Sequence, residues 1–294
     1  GGGRVKSNRR LEPGEEIRIP PLRDETDPPA DKPRPAPRRE DAAFIRRIAI
    51  FEDDAILAVN KPFGLAVQGG EKTARHLDGM LAALEADGER PRLVHRLDRD
   101  TTGLLILAKT RKAAASLSES LRRHEVEKTY WGLVAGAPRP RQGTIDLALA
   151  KRNSGTGGKE RMVDAGDEEG DSDADQGRVG ADVRQAVTDY QIVEEAGTVS
   201  FLALRPRTGR THQLRAHCAA IGAPIVGDGK YGGPKSRIEG VSPKLHLFCR
   251  SMSFAHPSTG KMTTLTAPLG GHMLETWRFF DFPTEINVSW PDYD

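Results

Sequence analysis

Residues 95–106 read HRLDRDTTGLLI, a turn rich in charged side chains that runs directly into an apolar segment. The apolar run 104–108 has the length and composition of a buried strand. A polar loop held by a rigid strand is a common position for catalytic groups. The same composition also suits a simple charged turn in which Asp100 or Thr101 bonds to its own backbone. Composition alone favours the simple turn, so a catalytic interpretation needs support from the rest of the chain.

The pattern on both sides of this stretch predicts the fold class. Apolar runs indicate further strands, and apolar residues at helical spacing indicate helices. The predicted strands are 56–59, 104–108, 130–134, 187–193, 199–204 and 245–254. The predicted helices are 77–84, 114–124, 211–221 and 273–277. Because strands and helices are mixed without strict alternation, we expect an α+β fold with a mixed, largely antiparallel sheet and flanking helices.

Composition limits the class of protein. The 294 residues are 37% hydrophobic and 29% charged, which is ordinary for a soluble globular chain with a sizeable core. Two cysteines, Cys218 and Cys249, are too few for a disulfide framework, so we expect free thiols and a cytoplasmic location. Neither a membrane span nor a secretory signal is present in the sequence. The first residue is Gly1 rather than Met, so we expect a processed chain or a piece of a longer one.

Charge is unevenly distributed along the chain although the net charge is only +2. Residues 201–250 contain nine Lys or Arg against two Asp or Glu, a balance that suits a polyanionic partner or a solvated basic face. Residues 164–175 contain seven acids and no base. They lie in a Gly-rich and acidic segment, 153–182, which we expect to be a flexible surface loop.

A second unusual segment is RPRTGRTHQLRAH at 205–217, which passes from a strand through a Thr-Gly turn into the start of a helix. Cations at a helix N-terminus can hold phosphate, whereas an exposed basic helix would have the same composition. Arg215 can instead point inward to pair with a carboxylate. His212 and His217 have no acid or cysteine at ligand spacing, so we expect no zinc site. A third segment, KTY at 128–130, ends in Tyr130 at the start of a predicted strand. A tyrosine at such a position most often packs in the core or at the edge of the sheet.

Read together, the segments resemble the RluA-type pseudouridine synthases. Five segments carry the resemblance, in the order of that family: EDD at 52–54 with VNKP at 59–62 and GL at 64–65; HRLD at 95–98 with TTGL at 101–104; KTY at 128–130; TGRTHQLR at 208–215 with PIVGD at 224–228 and YG at 231–232; LH at 245–246 with HP at 256–257. The match covers roughly residues 44–282. The usual Thr-Ser-Gly is Thr-Thr-Gly here, which keeps the hydroxyl.

The resemblance implies a pseudouridine synthase fold with an RNA-binding cleft, and a role for particular residues. Asp98 matches the essential aspartate, Tyr130 the tyrosine that stacks on the target base and takes the proton from C5, and Arg215 the arginine that pairs with the aspartate. Five more residues are implied in substrate binding: His95, Arg96, Arg210, His212 and Leu214. Uridine must be flipped out before its glycosidic bond can be reached. The reaction is an isomerisation, so neither a cofactor nor a metal is expected.

Alternatives to this interpretation make different demands on the site. An RNA-binding protein without catalysis needs neither Asp98 nor Tyr130. A glycosidase normally needs two carboxylates across the bond, and Asp98 and Asp100 are only two residues apart. Within the pseudouridine synthases, attack of the aspartate on C1′ and assisted elimination both stay open, and we favour attack on C1′.

The resemblance also implies a domain organisation. Residues 1–23 are similar to the C-terminal part of an S4 RNA-binding domain, and the Pro-rich, charged segment 24–43 is expected to be a linker. The catalytic domain is expected to span residues 44–294. An S4 domain accompanies the enzymes of large-subunit ribosomal RNA, so we expect 23S ribosomal RNA as substrate, with tRNA as the alternative, and a monomeric enzyme.

Overall fold

The apolar run that follows the charged turn forms a strand inside a large sheet. In the computed structural model, the strand Thr102–Ala108 is buried along its whole length. A strand that is covered on both faces needs apolar side chains at successive positions, which explains the continuous run. The structure describes residues 39–70, 75–86, 88–152, 161–164 and 183–290, and all of them belong to one compact unit. The predicted S4-like segment 1–23 lies outside these residues.

The described part of the chain contains both helices and strands. Its α-helices are α1 (Arg39–Ile48), α2 (Leu77–Met80), α3 (Arg111–Arg122), α4 (Gln213–Ala220) and α5 (Gly271–Phe279). Its strands are β1 (Ala49–Glu52), β2 (Ile56–Lys61), β3 (Arg92–Leu93), β4 (Thr102–Ala108), β5 (Glu127–Ala135), β6 (Gln142–Asp146), β7 (Leu149–Arg152), β8 (Arg161–Asp164), β9 (Val187–Ala196), β10 (Val199–Pro206), β11 (Leu247–Ala255) and β12 (Met262–Thr266).

Ten of these strands form one mixed sheet. The strand order is β1-β2-β4-β11-β5-β10-β9-β6, with β12 paired to β11 and β3 paired to β4. The pairing of β4 with β11 is parallel, whereas the other described pairings of this sheet are antiparallel. Strands β7 and β8 form a separate two-stranded sheet. The predicted α+β class with a largely antiparallel sheet is confirmed.

Gly103 allows the charged turn to pass into the sheet. Its φ is +103°, a region that other residues rarely adopt. A Cβ at this position would lie 2.3 Å from the carbonyl oxygen of Cys249 on β11. Glycine therefore permits the close approach of β4 and β11 only five residues after Asp98.

Helix α4 sets the position of the second functional segment. Leu214 and Cys218 of this helix join Leu204 and Ile225 in a buried apolar cluster on the sheet. The helix begins two residues later than the predicted 211, because His212 has a left-handed backbone with φ of 53°. The packing fixes the N-terminal end of α4 beside the end of β10.

Two other expectations differ from the structure. Helix α1 begins at Arg39, inside the predicted linker 24–43 and five residues before the predicted domain start at residue 44. Phe44, Ile45 and Ile48 pack this helix against the core, so its first turn belongs to the compact unit rather than to a linker. Strand β8 lies inside the predicted flexible loop 153–182, where it pairs with β7. The remainder of that loop lies outside the described residues. No helix in the described ranges is long and apolar enough to cross a membrane.

Candidate active site

A cavity of about 900 Å³ opens where the predicted site segments meet. Its walls come from the turn 94–98, from the connection between α3 and β5, and from residues 205–215. All eight predicted site residues line it: His95, Arg96, Asp98, Tyr130, Arg210, His212, Leu214 and Arg215. The fold therefore brings together side chains that are separated by more than a hundred positions in the sequence.

A buried lysine holds the turn that carries Asp98. The side chain of Lys61 is 0% exposed, and its Nζ donates to the carbonyl oxygens of Pro62 (3.1 Å), Leu65 (3.0 Å) and Arg99 (2.9 Å). Burial lowers the pKa of Lys61 to about 8, against the opposing charges of Asp100 and Asp98. A buried ammonium is tolerated only with such partners, so this network makes the turn rigid. Sequence analysis placed Lys61 in the first motif without assigning it a role.

Asp98 stands in the cavity with two nitrogen groups nearby. Its Oδ2 lies 3.7 Å from Nε2 of His212 and 4.0 Å from Nη1 of Arg215. Its side chain keeps 24% of its surface exposed, so an incoming ligand can reach the carboxylate. The neighbouring Asp100 instead pairs with Arg99 at 3.1 Å.

Arg215 has a closer partner than the expected Asp98. Its Nε and Nη2 each lie 2.7 Å from a carboxylate oxygen of Asp228. Asp228 is 1% exposed and also accepts from the backbone N–H groups of Lys230 and Tyr231. Burial alone would raise the pKa of Asp228, but Arg215 and these N–H groups outweigh it and lower the pKa. Asp228 thus fixes the guanidinium so that Nη1 faces Asp98. Its position in the fourth of the five segments was the one sequence signal for this role.

Tyr130 forms the wall of the cavity on β5. It pairs across the sheet with Leu204 on one side and Cys249 on the other. Burial raises the pKa of Tyr130 well above 10, and Cys249 and the charge of Asp98 add to the effect. The phenol is therefore neutral, and it cannot act as a base unless its own proton leaves as it accepts another.

His95 and Arg96 differ in what they can offer a substrate. The Nε2 atom of His95 accepts from the backbone N–H of Ile106 at 3.0 Å. Burial, reinforced by the charge of Lys128, lowers the pKa of His95 to about 3, so its ring is neutral. The Nε2 atom of His95 therefore holds the backbone of β4. The exposed Arg96 instead makes a long contact of 3.5 Å with Gln68.

A buried glutamine fixes the loop between β10 and α4. The Oε1 atom of Gln213 accepts from the hydroxyl of Thr208 (2.7 Å) and from the backbone N–H of Arg210 (3.0 Å). Its Nε2 atom donates to the carbonyl of Val187 and the hydroxyl of Thr188, both at 2.9 Å. Gln213 is 3% exposed, so it holds the loop in place and is not available to bind a substrate. Sequence analysis missed this role because a single buried amide leaves no periodic pattern.

A buried carboxylate orients two arginines at the cavity. Asp189 is 0% exposed and accepts from Nε of Arg205 at 2.9 Å and from Nε of Arg207 at 2.8 Å. The hydroxyl of Thr144 donates to its other oxygen at 2.8 Å. Burial would raise the pKa of Asp189, but these donors lower it. The cluster holds both arginines at the wall of the cavity that Asp98 also lines.

The described residues contain no group of three His, Cys, Asp or Glu that could hold a metal ion. Both cysteines, Cys218 and Cys249, are buried free thiols. Burial raises the pKa of each thiol to about 12, which makes both unreactive at neutral pH. Asp98, Tyr130, His212 and several arginines line the cavity.

Comparison with known proteins identifies the family of the chain. The family RNA pseudouridylate synthase matches residues 55–220, and the chain belongs to this family. The chain is 33% identical over 274 residues to ribosomal large subunit pseudouridine synthase C of Escherichia coli strain K12, and 34% identical over 276 residues to that of Haemophilus influenzae. These matches cover 90% and 92% of this chain and 79% of each relative.

Two solved human structures show the same fold. Human RNA Pseudouridylate Synthase Domain Containing 4 superposes with a TM-score of 0.63 at 25% identity, covering 83% of this chain and 96% of that one. Human RNA Pseudouridylate Synthase Domain Containing 1 gives a TM-score of 0.59 at 27% identity, covering 75% and 82%. The family resemblance found in the motifs is thereby confirmed.

Proposed function

We propose that this protein converts specific uridines of RNA to pseudouridine, with Asp98 acting at the ribose. The observation that carries the proposal is the position of Asp98 in a cavity of about 900 Å³, within 4.0 Å of Arg215 and 3.7 Å of His212. Membership of the RNA pseudouridylate synthase family supports the reaction class.

The cavity suits a single nucleotide that has left its stack. A base inside a folded RNA is inaccessible, so the enzyme must flip it into a pocket. Arg96, Arg207 and Arg210 line the same cavity and can contact the phosphates on either side of the flipped nucleotide. Tyr130 and Leu214 supply the aromatic and apolar surfaces on which the base can pack.

Asp98 acts at C1′ of the flipped uridine in this proposal. Its carboxylate attacks C1′, the bond from C1′ to N1 breaks, and the uracil turns until C5 faces the ribose. The bond from C5 to C1′ then forms as the carboxylate leaves. Before the attack, Nη1 of Arg215 faces the carboxylate of Asp98 at 4.0 Å.

Tyr130 takes part in the last step. The proton on C5 must leave to restore the aromatic ring, and Tyr130 presents a phenolic hydroxyl in the wall of the cavity. Because its phenol is neutral, we propose a relay in which Tyr130 accepts the C5 proton while its own proton passes to solvent.

We further propose that the substrate is 23S ribosomal RNA. The relatives named ribosomal large subunit pseudouridine synthase C and the S4-like sequence of residues 1–23 support this choice. In this proposal residues 1–23 bind RNA, residues up to the start of α1 form a linker, and the remaining residues catalyse. The enzyme works as a monomer in the cytoplasm and needs neither metal nor cofactor.

The test uses 23S ribosomal RNA and tRNA transcripts that carry tritium at C5 of uridine, incubated with the protein in the presence of chelator. Tritium released to water from ribosomal RNA alone supports the proposal in full. Release from tRNA alone would keep the reaction and overturn the substrate. No release from either RNA, together with tight binding, would favour an RNA-binding protein without catalysis.

A further inference from the structure

His212 occupies a backbone conformation that its side chain makes unfavourable. Its φ of 53° and ψ of 18° lie in the left-handed region, where glycine and asparagine are the more usual residues. Such conformations concentrate at functional sites, where the surrounding structure imposes them. The contacts of the imidazole should therefore show why His212 is held in this conformation.

The contacts of Nδ1 determine which nitrogen of His212 carries the proton. The hydroxyl of Tyr231 lies 3.0 Å from Nδ1, and Nζ of Lys230 lies 3.3 Å from the same atom. An ammonium group can only donate, and a phenol can donate as well. Nδ1 is therefore an acceptor, and the proton of the neutral ring sits on Nε2. Burial lowers the pKa of His212, and the charges of Arg215 and Lys230 lower it further against the opposing charges of Asp98 and Asp228, so the neutral ring persists at pH 7.

The Nε2–H group points toward the reacting centre. It lies 3.7 Å from Oδ2 of Asp98, which is beyond hydrogen-bond distance. Among the described residues, none accepts a hydrogen bond from Nε2. The side chain keeps 20% of its surface exposed and lines the cavity. A neutral donor is thus held beside the carboxylate and remains available to a ligand.

Cleavage of the glycosidic bond creates the need for such a donor. This inference rests on the proposed function. When the C1′–N1 bond breaks, its electron pair moves onto the uracil and spreads to O2, the oxygen on the ring carbon next to N1. We propose that His212 donates its Nε2–H to O2 of the uracil as this bond breaks, and so stabilises the departing base. A donor fixed in advance where negative charge develops is among the most effective catalytic devices.

Protons and bonds balance without any change in His212. The bond between Asp98 and C1′ forms as C1′–N1 breaks, and it breaks again as C5–C1′ forms. The C5 proton leaves through Tyr130 to solvent, N1 takes a proton from solvent once the C5–C1′ bond has formed, and His212 keeps its proton throughout. A charged imidazolium would instead pair with Asp98 and weaken it as a nucleophile, so a neutral ring fits the role better.

The test compares His212→Asn with His212→Gln. Asparagine favours the left-handed backbone but is too short to present N–H at the Nε2 position, whereas glutamine reaches it. We expect His212→Asn to lower the single-turnover rate by about a hundredfold and His212→Gln to recover about tenfold of that loss. The affinity for RNA, measured with Asp98→Asn as background, should change by less than about twofold.

Two outcomes would overturn the inference. One is a rate for His212→Asn within about threefold of the wild type, and the other is a loss confined to RNA affinity. Nitrogen-15 NMR of the wild-type protein checks the tautomer without any variant, and a proton found on Nδ1 at pH 7 would also contradict it. A wild-type protein that forms no pseudouridine would refute the proposed function, whereas an active His212→Asn refutes this inference alone.

Discussion

Arg215 and Asp228 form a bidentate ion pair, with two nitrogens of the guanidinium each 2.7 Å from a carboxylate oxygen. The side chains are only 11% and 0% exposed. The pair leaves Nη1 of Arg215 facing Asp98 at 4.0 Å. The arginine that the motif pairs with the catalytic aspartate is therefore held in place by a second aspartate.

Asp228→Asn should impair both stability and turnover. The change leaves the buried Arg215 without its counter-charge, which we expect to cost about 3 kcal/mol in the free energy of unfolding. The released guanidinium should also slow single turnover by at least about tenfold. Urea denaturation and a single-turnover assay check the two effects. Glu285→Gln is the control, because Glu285 is 88% exposed in its pair with Arg250 and should cost less than about 0.5 kcal/mol. Equal effects of the two variants would contradict the role of Asp228.

Tyr130→Phe should separate binding from proton loss. Phenylalanine keeps the aromatic face but cannot relay a proton, so tritium release from C5 should slow by about a hundredfold or more. RNA affinity, measured by filter binding, should stay within about twofold. Tyr130→Ala removes the face as well and should weaken binding. Normal release by Tyr130→Phe would show that the C5 proton leaves by another route.

Gly103→Ala should destabilise the fold far more than Gly136→Ala, although both glycines have a positive φ. At Gly103 a Cβ would collide with backbone atoms of Cys249, whereas at Gly136, with φ of +95°, nothing lies within 4 Å. Gly136→Ala should cost about 1–2 kcal/mol from backbone strain alone. Gly103→Ala should cost about 4 kcal/mol or more. Thermal and urea unfolding measure both, and similar costs would refute the close approach of β4 and β11.

Stability should fall as the pH drops below 6.5. Burial lowers the pKa of His95 to about 3 and that of His246 to about 4, with smaller contributions from Lys128 and His272 respectively. Both groups bind protons near pH 6.5 when unfolded but not when folded, so their contribution is complete above pH 6.5 and declines toward pH 4. Each should add up to about 1.4 kcal/mol per pH unit to the slope. Urea unfolding from pH 7.5 to 4.5 measures it, and unchanged slopes in His95→Gln and His246→Gln would contradict this origin.

Local patterns were sufficient for much of the fold. The continuous apolar run of β4 and the helical spacing of α3 are properties of adjacent residues, and both elements form where expected. Strand β12 was missed because its threonine-rich segment has few apolar residues, although exposed and half-buried positions alternate along it. Helix α1 was not predicted, because its first residues were assigned to the Pro-rich, charged linker.

The motifs predicted the residues that line the site. They did not predict the residues that support the site through buried hydrogen bonds. Asp98, Tyr130 and Arg215 lie at one cavity, as the motifs implied. Lys61 and Gln213 act through hydrogen bonds to segments far away in sequence, and no spacing rule reports such contacts.

The central claim is that Asp98 performs the chemistry and that RNA binding does not depend on its charge. The decisive measurement is single-turnover tritium release from C5-labelled ribosomal RNA by Asp98→Asn, with the affinity for the same RNA measured in parallel. We predict undetectable release and an affinity within about twofold of the wild type. Release at the wild-type rate by Asp98→Asn would contradict the assignment of Asp98 as the catalytic residue.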